Sequence, residues 1–305
     1  GPGNVNKLYT QGGSMGSLKK KKWCIADLKK NPDYGYSYFQ VEPAQIKEFY
    51  SRDYHAEYDR FSEWHKSFEQ DRHWLDIKIK IISGLFKGYF PNGKTLLDVG
   101  CGIGNDLILY REKGFECTGI DFSIRGCEIA RERGLTVLQG DLSEHVDSIT
   151  PKDFIQAHGV MEHVHEPMKF MQSLKRIMAP GKSVLLISVP NDFSPLQRRA
   201  MERYKYPPYF VSFPDHLNYF NVESFKRVLK AAEFKILELF CDFPMELFLL
   251  FKRDYVSDPT VGKQCHQERV AFEESFDGEE EALLKIYKGF ASLGIGRFVY
   301  ALVQC

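Results

Sequence analysis

The chain has no apolar run of the roughly 20 residues that a membrane-spanning helix requires. Its longest candidate, Met245 to Phe251 (MELFLLF), is far too short. C-x-x-C pairs are missing as well. The seven cysteines (Cys24, Cys101, Cys117, Cys127, Cys241, Cys265 and Cys305) are odd in number and scattered, which indicates neither a disulfide framework nor a structural zinc site. Free thiols of this kind fit a reducing cytoplasm. Net charge is absent too: 41 Lys and Arg balance 41 Asp and Glu. The global basic field of a protein that lives on nucleic acid or anionic membrane is therefore not there. No internal repeat or long low-complexity tract interrupts the chain.

What is present is an ordinary globular balance, 43% hydrophobic and 27% charged residues over 305 positions, enough to bury a sizeable core. Residues 1–17 (GPGNVNKLYTQGGSMGS) are Gly-rich and lack the apolar stretch of a signal peptide, so they read as a tag or disordered leader. Lys19 to Lys22 read as a solvated tail. Residues 18–75 read as a helical N-terminal cap, because the aromatic-rich and heavily charged stretch from Phe39 to Trp74 has apolar residues at mixed three- and four-residue spacing. Asp76 to Tyr89 reads as a helix stopped by the turn Pro91-Asn92-Gly93.

From Thr95 onward short apolar runs alternate with helical segments, the signature of a parallel sheet built from βαβ units. Strands are expected at 95–99, 116–120, 136–139, 154–157, 183–189, 235–241 and 297–303, with helices at 105–113, 123–133, 168–178 and 222–232. Ser183 to Val189 (SVLLISV) is apolar on both faces, as a central strand should be. Two insertions break the alternation, 190–221 and 242–293, and read as lids on a domain spanning 76–305.

The densest chemical signal is Leu96-Leu97-Asp98-Val99-Gly100-Cys101-Gly102-Ile103-Gly104, a strand running into a glycine turn and then a helix. Such a turn brings a ligand close to backbone amides. A dinucleotide fingerprint needs G-x-G-x-x-G, whereas Asn105 follows Gly104, so the spacing here is G-x-G-x-G and a nicotinamide cofactor loses ground. The next strand ends in Asp121, placed to accept from both hydroxyls of a ribose, and the third ends at Asp141, within reach of an adenine amino group. Asp98 can balance a cationic amino group. The set implies a ligand with adenine, ribose and a charged amino acid but no pyrophosphate.

On these ordered motifs the chain resembles the class I S-adenosylmethionine-dependent methyltransferases of the small-molecule type, over roughly Lys78 to Phe240 plus the last strand. The resemblance implies an α/β fold, a doubly wound, mostly parallel seven-stranded sheet of Rossmann-like form, with the last strand reversed. It implies that Gly100, Gly102 and Gly104 line the methionine and ribose of the cofactor, that Asp98 faces its amino group, and that Asp121 with the neighbouring Phe122 holds the ribose. Asp141 with Leu142 would meet adenine. His158 opens the segment His158 to Val164 that closes over the sulfonium, and S-adenosylhomocysteine would be the product. Glu162-His163-Val164 and Asp215-His216-Leu217-Asn218-Tyr219-Phe220 look like enzymes of quinone, sugar and natural-product pathways. Quinone-pathway members carry E-x-x-E-H and use a divalent metal, but Gly159 stands where the first Glu would be. No metal ligand is assigned, and His165 and Glu166 are the neighbours that keep one open. The amino-methylation motif of the N-P-P-Y type is missing after the fourth strand, against a nucleic-acid or protein substrate of that branch.

Methyl transfer needs an acceptor held in line with the sulfonium and a group to take its proton. A histidine suits the second task, and His163 and His216 are the expected bases. Arg198, Arg199, Tyr206 and Tyr219 lie in the first lid and are expected to bind the acceptor, the arginines pointing to an anionic group such as a sugar phosphate or a nucleotide-linked sugar. The expected partner is a small molecule, the chain a monomer or homodimer. An RNA methyltransferase and a non-catalytic cofactor-binding protein are the alternatives.

Overall fold

A computed structural model describes residues 25–42, 44–45 and 58–305. The expected leader at 1–17, the Lys19–Lys22 run and residues 43 and 46–57 of the aromatic stretch between Phe39 and Trp74 lie outside the described residues. In the seven-stranded sheet the strands are β3 (Thr95–Val99), β4 (Glu116–Asp121), β5 (Val137–Gln139), β6 (Phe154–His158), β7 (Val184–Pro190), β9 (Lys235–Cys241) and β10 (Phe298–Gln304). Their spatial order is β5-β4-β3-β6-β7-β10-β9. Pairings from β5 through β7 are parallel, and β10 runs antiparallel to both neighbours. The doubly wound sheet with a reversed last strand is thus the observed one, and each strand lies within a residue or so of its expected bounds.

Three crossovers use α2 (Asn105–Glu112), α3 (Ile124–Glu132) and α5 (Pro167–Arg176). Strand alternation sends Leu97, Ile155, Leu185 and Ile187 into one buried layer, shared with α7 (Val222–Ala231), and Leu96, Phe154, Leu186 and Tyr300 into the other. Helix α1 (Tyr58–Tyr89) supplies Ile77, Ile81 and Phe86 to that second layer. The lid at 190–221 carries α6 (Pro195–Tyr204) and β8 (Asn218–Tyr219). The insertion at 242–293 carries α8 (Glu246–Leu250), α9 (Pro259–Glu274) and α10 (Glu280–Ser292).

Two expectations need correction. A single uninterrupted helix, α1, runs through the boundary drawn at 75/76, because nothing between Trp74 and Ile77 breaks a helix and Ile77 already packs in the core. The cap is also not wholly helical. Strands β1 (Leu28–Lys30) and β2 (Ser37–Phe39) form a hairpin whose loop is organised by Asn31 Oδ1, which accepts from Asp33 and Tyr34 N–H at 3.1 and 2.9 Å. Ser37 and Tyr38 then pair with Tyr219 and Asn218 of β8, so this small sheet clamps the first lid. Phe39, Val41, Leu217 and Tyr219 form its apolar core.

Candidate active site

The glycine turn leaves β3 at its carboxyl edge. Gly100 has φ +81°, and a Cβ there would lie 2.4 Å from Val160 Cγ2, so this backbone fits glycine alone. That contact also presses the loop after β6 onto the turn. Asp121 ends β4 and is tied down by the backbone: Oδ2 accepts from Gly102 N–H and Oδ1 from Ser123 N–H, both at 2.7 Å. Each oxygen keeps a lone pair for a ribose hydroxyl. Burial raises the Asp121 carboxyl, and the two N–H groups lower it again. Phe122 beside it presents an exposed ring. Asp141 caps α4 (Leu142–His145) through Ser143 N–H at 2.8 Å and stays exposed, while Leu142 is buried beneath it.

Asp98 is buried one strand away and accepts from Gln156 Nε2 at 3.2 Å; the same amide nitrogen donates to Asp106 Oδ2 at 2.8 Å, and Tyr110 donates to its oxygen at 2.6 Å. Burial first, then the carboxylates of Asp106 and Asp121, push the Asp98 carboxyl well above its usual range. A cationic amino group beside Asp98 would relieve that excess of negative charge. The residues present therefore suit an amino-acid-bearing adenosine ligand.

Toward β6 and β7, His158 pairs in register with Ser188, and its Nδ1 is hydrogen-bonded to the Ser188 hydroxyl. Its ring stacks on Tyr300 at 5.5 Å and 12° and opens onto a cavity of about 80 Å³ that Lys78, Asp106 and Asp242 also line. Beyond it, Glu162, His163 and His216 bring three donor atoms within 4.8 Å of one another. The rings of His163 and His216 meet edge to face at 4.8 Å. His163 Nδ1–H donates to Asp215 O at 2.6 Å, leaving Nε2 as the nitrogen able to take a proton. Burial, then His163 and Arg297, push His216 down to about 3, so it is neutral at physiological pH. Glu162, 2% exposed, has a carboxyl that burial lifts to about 8, and its Oε2 has no hydrogen-bond partner among the described residues.

Asn218 holds this cluster together. Its amide donates to Met161 O at 3.2 Å and Val164 O at 2.7 Å, and Glu162 O accepts from Leu217 and Asn218 N–H at 2.8 and 3.0 Å. The lid strand that carries His216 is thereby stitched to the loop that carries Glu162 and His163.

A family described as a methyltransferase domain matches residues 46–239 of the chain. The chain belongs to this methyltransferase family. It is 30% identical over 117 residues to ajmaline N-methyltransferase of Rauvolfia serpentina, which is 34% of this chain and 40% of that protein. It is 29% identical over 120 residues to the ubiquinone biosynthesis O-methyltransferase of Pectobacterium atrosepticum, 37% of this chain and 49% of that one. The match thus spans half or less of the length of these curated relatives. A solved S-adenosylmethionine-dependent methyltransferase of Archaeoglobus fulgidus superposes with a TM-score of 0.50 at 18% identity, covering 80% of this chain and 99% of that one. The plantazolicin methyltransferase BamL, solved with S-adenosylhomocysteine, gives 0.52 at 14% identity over 85% and 94%. At these identities the two structures speak for the fold.

A second polar region of the methyltransferase lies where β7 ends and β10 begins. Asn191 anchors it: its amide nitrogen donates to Gly294 O and Gly296 O, both at 3.1 Å, and its backbone N–H donates to Arg297 O at 2.9 Å. Asp192 and Glu246 are buried there, and Asp192 Oδ2 and both oxygens of Glu246 have no hydrogen-bond partner among the described residues. Burial lifts the Asp192 carboxyl to about 8 and raises that of Glu246, each offset in part by Arg297 and Gln197. Arg297 is an exposed residue, and no ion pair within 4.0 Å closes on it among the described residues.

The four acceptor residues expected from sequence are spread over the surface and the small sheet. Arg198 and Arg199 are exposed on α6, and Arg199 pairs with Glu202 at 3.2 Å on the surface. The capping box of Ser194 and Gln197 turns Gln197 and Ala200 inward, and so turns the arginines out. Tyr206 stacks on Tyr204 at 5.2 Å and bonds Ser257 at 3.3 Å. Tyr219 is 2% exposed, a core residue of the small sheet whose hydroxyl donates to His216 O at 2.9 Å. Sequence reasoning assigned no metal ligand, whereas Glu162, His163 and His216 form a nitrogen and oxygen donor set of the kind that holds a borderline divalent cation. Asp192, Glu246 and Arg297 carried no motif by which they could have been found.

Proposed function

We propose that this chain transfers a methyl group from S-adenosylmethionine to a hydroxyl or amine of a small molecule, with Glu162, His163 and His216 around the point of transfer. The observation that carries the reading is the seam between the two halves of the site. Val160, packed against Gly100, belongs to the same short loop as Glu162 and His163, so the glycine turn and the proton-accepting groups sit on one rigid edge. The cofactor supplies an activated methyl on a sulfonium. Asp121 would hold the ribose, Asp98 the amino group, and Asp141 with Leu142 the adenine.

Two groups are suited to take the acceptor's proton. Glu162, lifted to about 8, is matched to neutral pH, and His163 offers Nε2. His216, at about 3, is too weak a base for that task and serves better to shape the pocket. Calorimetry with S-adenosylmethionine, S-adenosylhomocysteine and NAD tests the cofactor: micromolar binding of the first two, lost in Asp121→Ala, supports the reading, and NAD binding in their place sinks it.

The donor set of Glu162, His163 and His216 favours one further reading of the same site, in which a divalent cation bound there polarises the acceptor. Metal content of the purified protein, lost in His216→Ala, is its measurement. Described cysteines that are buried as free thiols suit a reducing compartment, and we place the enzyme in the cytoplasm. No described helix is long and apolar enough to cross a membrane.

A further inference from the structure

The cavity beside His158 runs away from the expected cofactor residues, between α1 and the other half of the sheet. Its inner end reaches Asp106 and Gln156, and the Gln156 amide also bonds Asp98, so the cavity starts next to the residue expected to face the cofactor's amino group. From there its walls come from β7, β10, β9 and α10 through Leu186, Tyr300, Phe240 and Tyr287, elements that carry none of the expected cofactor residues. His158 is exposed at the carboxyl edge, which opens the cavity to solvent there.

The two walls are unlike. Along α1, Leu75, Lys78, Ile79 and Ile82 recur at i, i+3, i+4 and i+7 and form one stripe, aliphatic except for Lys78. The facing wall is a row of rings set by strand register. Ser188 pairs with both His158 and Tyr300, and Tyr300 pairs with Phe240, so the four side chains stand on one face of the sheet. Because serine is small, the rings on either side of it meet. Tyr300 stacks on His158 at 5.5 Å and 12° and on Phe240 at 5.0 Å and 1°, and Phe240 stacks on Tyr287 at 6.5 Å and 7°. Tyr300 and Phe240 thus have both faces covered by rings and present their edges to the cavity.

A ring edge carries the positive end of the aromatic quadrupole, so it favours the face of another aromatic ring over a cation or a saturated ring. The charged groups of the lining are already engaged. Lys78 stands 4.2 Å over the Trp74 ring and 3.7 Å from Asp242, Asp242 bonds Arg269 at 2.9 Å, and Asp106 accepts from Gln156 at 2.8 Å. A charged ligand would have to break into those pairs. The volume, about 80 Å³, is far below the roughly 150 Å³ of an apolar cavity that admits benzene. One ring can enter from the open end, and a second fused ring has no room.

We propose that this cavity is the acceptor pocket and that it selects a single uncharged aromatic ring, whose hydroxyl or amine stays at the open end beside His158. The inference rests on the methyltransferase reading above and gives that reading its substrate class. It replaces the expectation of an anionic acceptor, which rested on Arg198 and Arg199.

The test is an NMR titration of the full chain saturated with S-adenosylhomocysteine, using four probes that share a hydroxyl: 4-methylphenol, its saturated counterpart 4-methylcyclohexanol, the two-ring 2-naphthol and anionic 4-hydroxybenzoate. We expect 4-methylphenol to bind at least about five-fold more tightly than any of the other three, because edge-to-face contact with two rings adds to the apolar area that it buries. Non-specific apolar binding would instead favour 2-naphthol, the largest probe. Leu75→Trp, which puts a large ring at a half-buried lining position, should abolish binding of 4-methylphenol and leave the affinity for S-adenosylhomocysteine unchanged. Equal or tighter binding of any other probe overturns the inference, as does failure of 4-methylphenol to bind. The comparison of probes on the unmodified chain decides the matter even if Leu75→Trp does not fold. If S-adenosylhomocysteine itself does not bind, the methyltransferase reading has failed and takes the inference with it.

Discussion

The two ends of the sheet's carboxyl edge are built on opposite terms. Over β3, β4 and β5 the polar groups are satisfied within the chain: Asp121 by two backbone N–H groups, Asp141 by the helix it caps, Asp98 by Gln156. Over β6, β7 and β10 they are less so, and Glu162, Asp192 and Glu246 are buried with carboxylate oxygens that have no hydrogen-bond partner among the described residues. The first end is organised before its ligand arrives, as binding of a common cofactor favours. At the second, carboxyls stay buried at a cost that the right acceptor would relieve, which is a means of selecting it.

The sharpest way to break this comparison is to change one group at each end. Glu162→Gln keeps shape and removes the carboxylate, and should lower kcat by about 10²-fold or more, the usual worth of a positioned general base, with S-adenosylhomocysteine affinity unchanged by calorimetry. If kcat is unaltered, Glu162 does not take the proton and His163 is next to be tested. Asp121→Ala should do the reverse. It removes two charge-assisted hydrogen bonds to ribose, about 1.5 kcal/mol or more each, and so weakens cofactor binding by about 10²-fold. The same cofactor affinity in this variant would mean that the ribose is held elsewhere.

The satisfied end is also the end that sequence revealed. Gly100 to Gly104, Asp121 and Asp141 each sit at a strand end within a short motif, and a local motif is legible because its partners are a few residues away. Asp121 bonds Gly102 and Ser123, and Asp141 bonds Ser143. The other end combines Glu162, His163 and His216, which the sequence also singled out, with Asp192, Glu246 and Arg297, whose spacing along the chain carries no period. Arg297 reads as the first residue of a strand after two glycines, and only the antiparallel return of β10 beside β7 places it next to Asp192. The hairpin β1–β2 was hidden for a similar reason. Its strands are three residues each, and β2 finds its second partner at Asn218 and Tyr219, far along the chain.

An intermediate effect concerns the unliganded protein's stability against pH. Glu162 and Asp192 titrate near 8 when folded, from ordinary values of 4.5 and 3.8. The folded chain thus keeps two protons that the unfolded chain has lost above about pH 5, so stability falls as pH rises through that window toward 8 and levels off beyond it. Even if each carboxyl is only about ten-fold weaker as an acid in the folded chain than in the unfolded one, the decline is about 3 kcal/mol in all. His216 acts on the opposite limb: refusing a proton until about 3, it makes stability fall as pH drops below 6.5. Two carboxyls outweigh one imidazole, so thermal melts should fall from about pH 5 to pH 8, most steeply above pH 6.5 where His216 no longer opposes them, and Asp192→Asn should reduce that decline by about half. A melt that rises from pH 6 to pH 8 would mean the carboxylates are neutralised within the chain.

The smallest effect is expected where sequence placed the acceptor. Arg198 and Arg199 stand on the outer face of α6, in water, and Arg199 is engaged only by Glu202 within its own helix. A surface ion pair of that kind contributes about 0.5 kcal/mol or less. The double change Arg198→Ala, Arg199→Ala should then leave stability within about 0.5 kcal/mol and should alter neither acceptor KM nor kcat beyond about two-fold. Arg297→Met should move KM more, because it removes the guanidinium that offsets the buried carboxyls of Asp192 and Glu246. The contrast between the two measurements is decisive for the location of the acceptor site. If the α6 arginines shift KM and Arg297 does not, the acceptor lies outside the lid and the buried carboxylates serve another purpose.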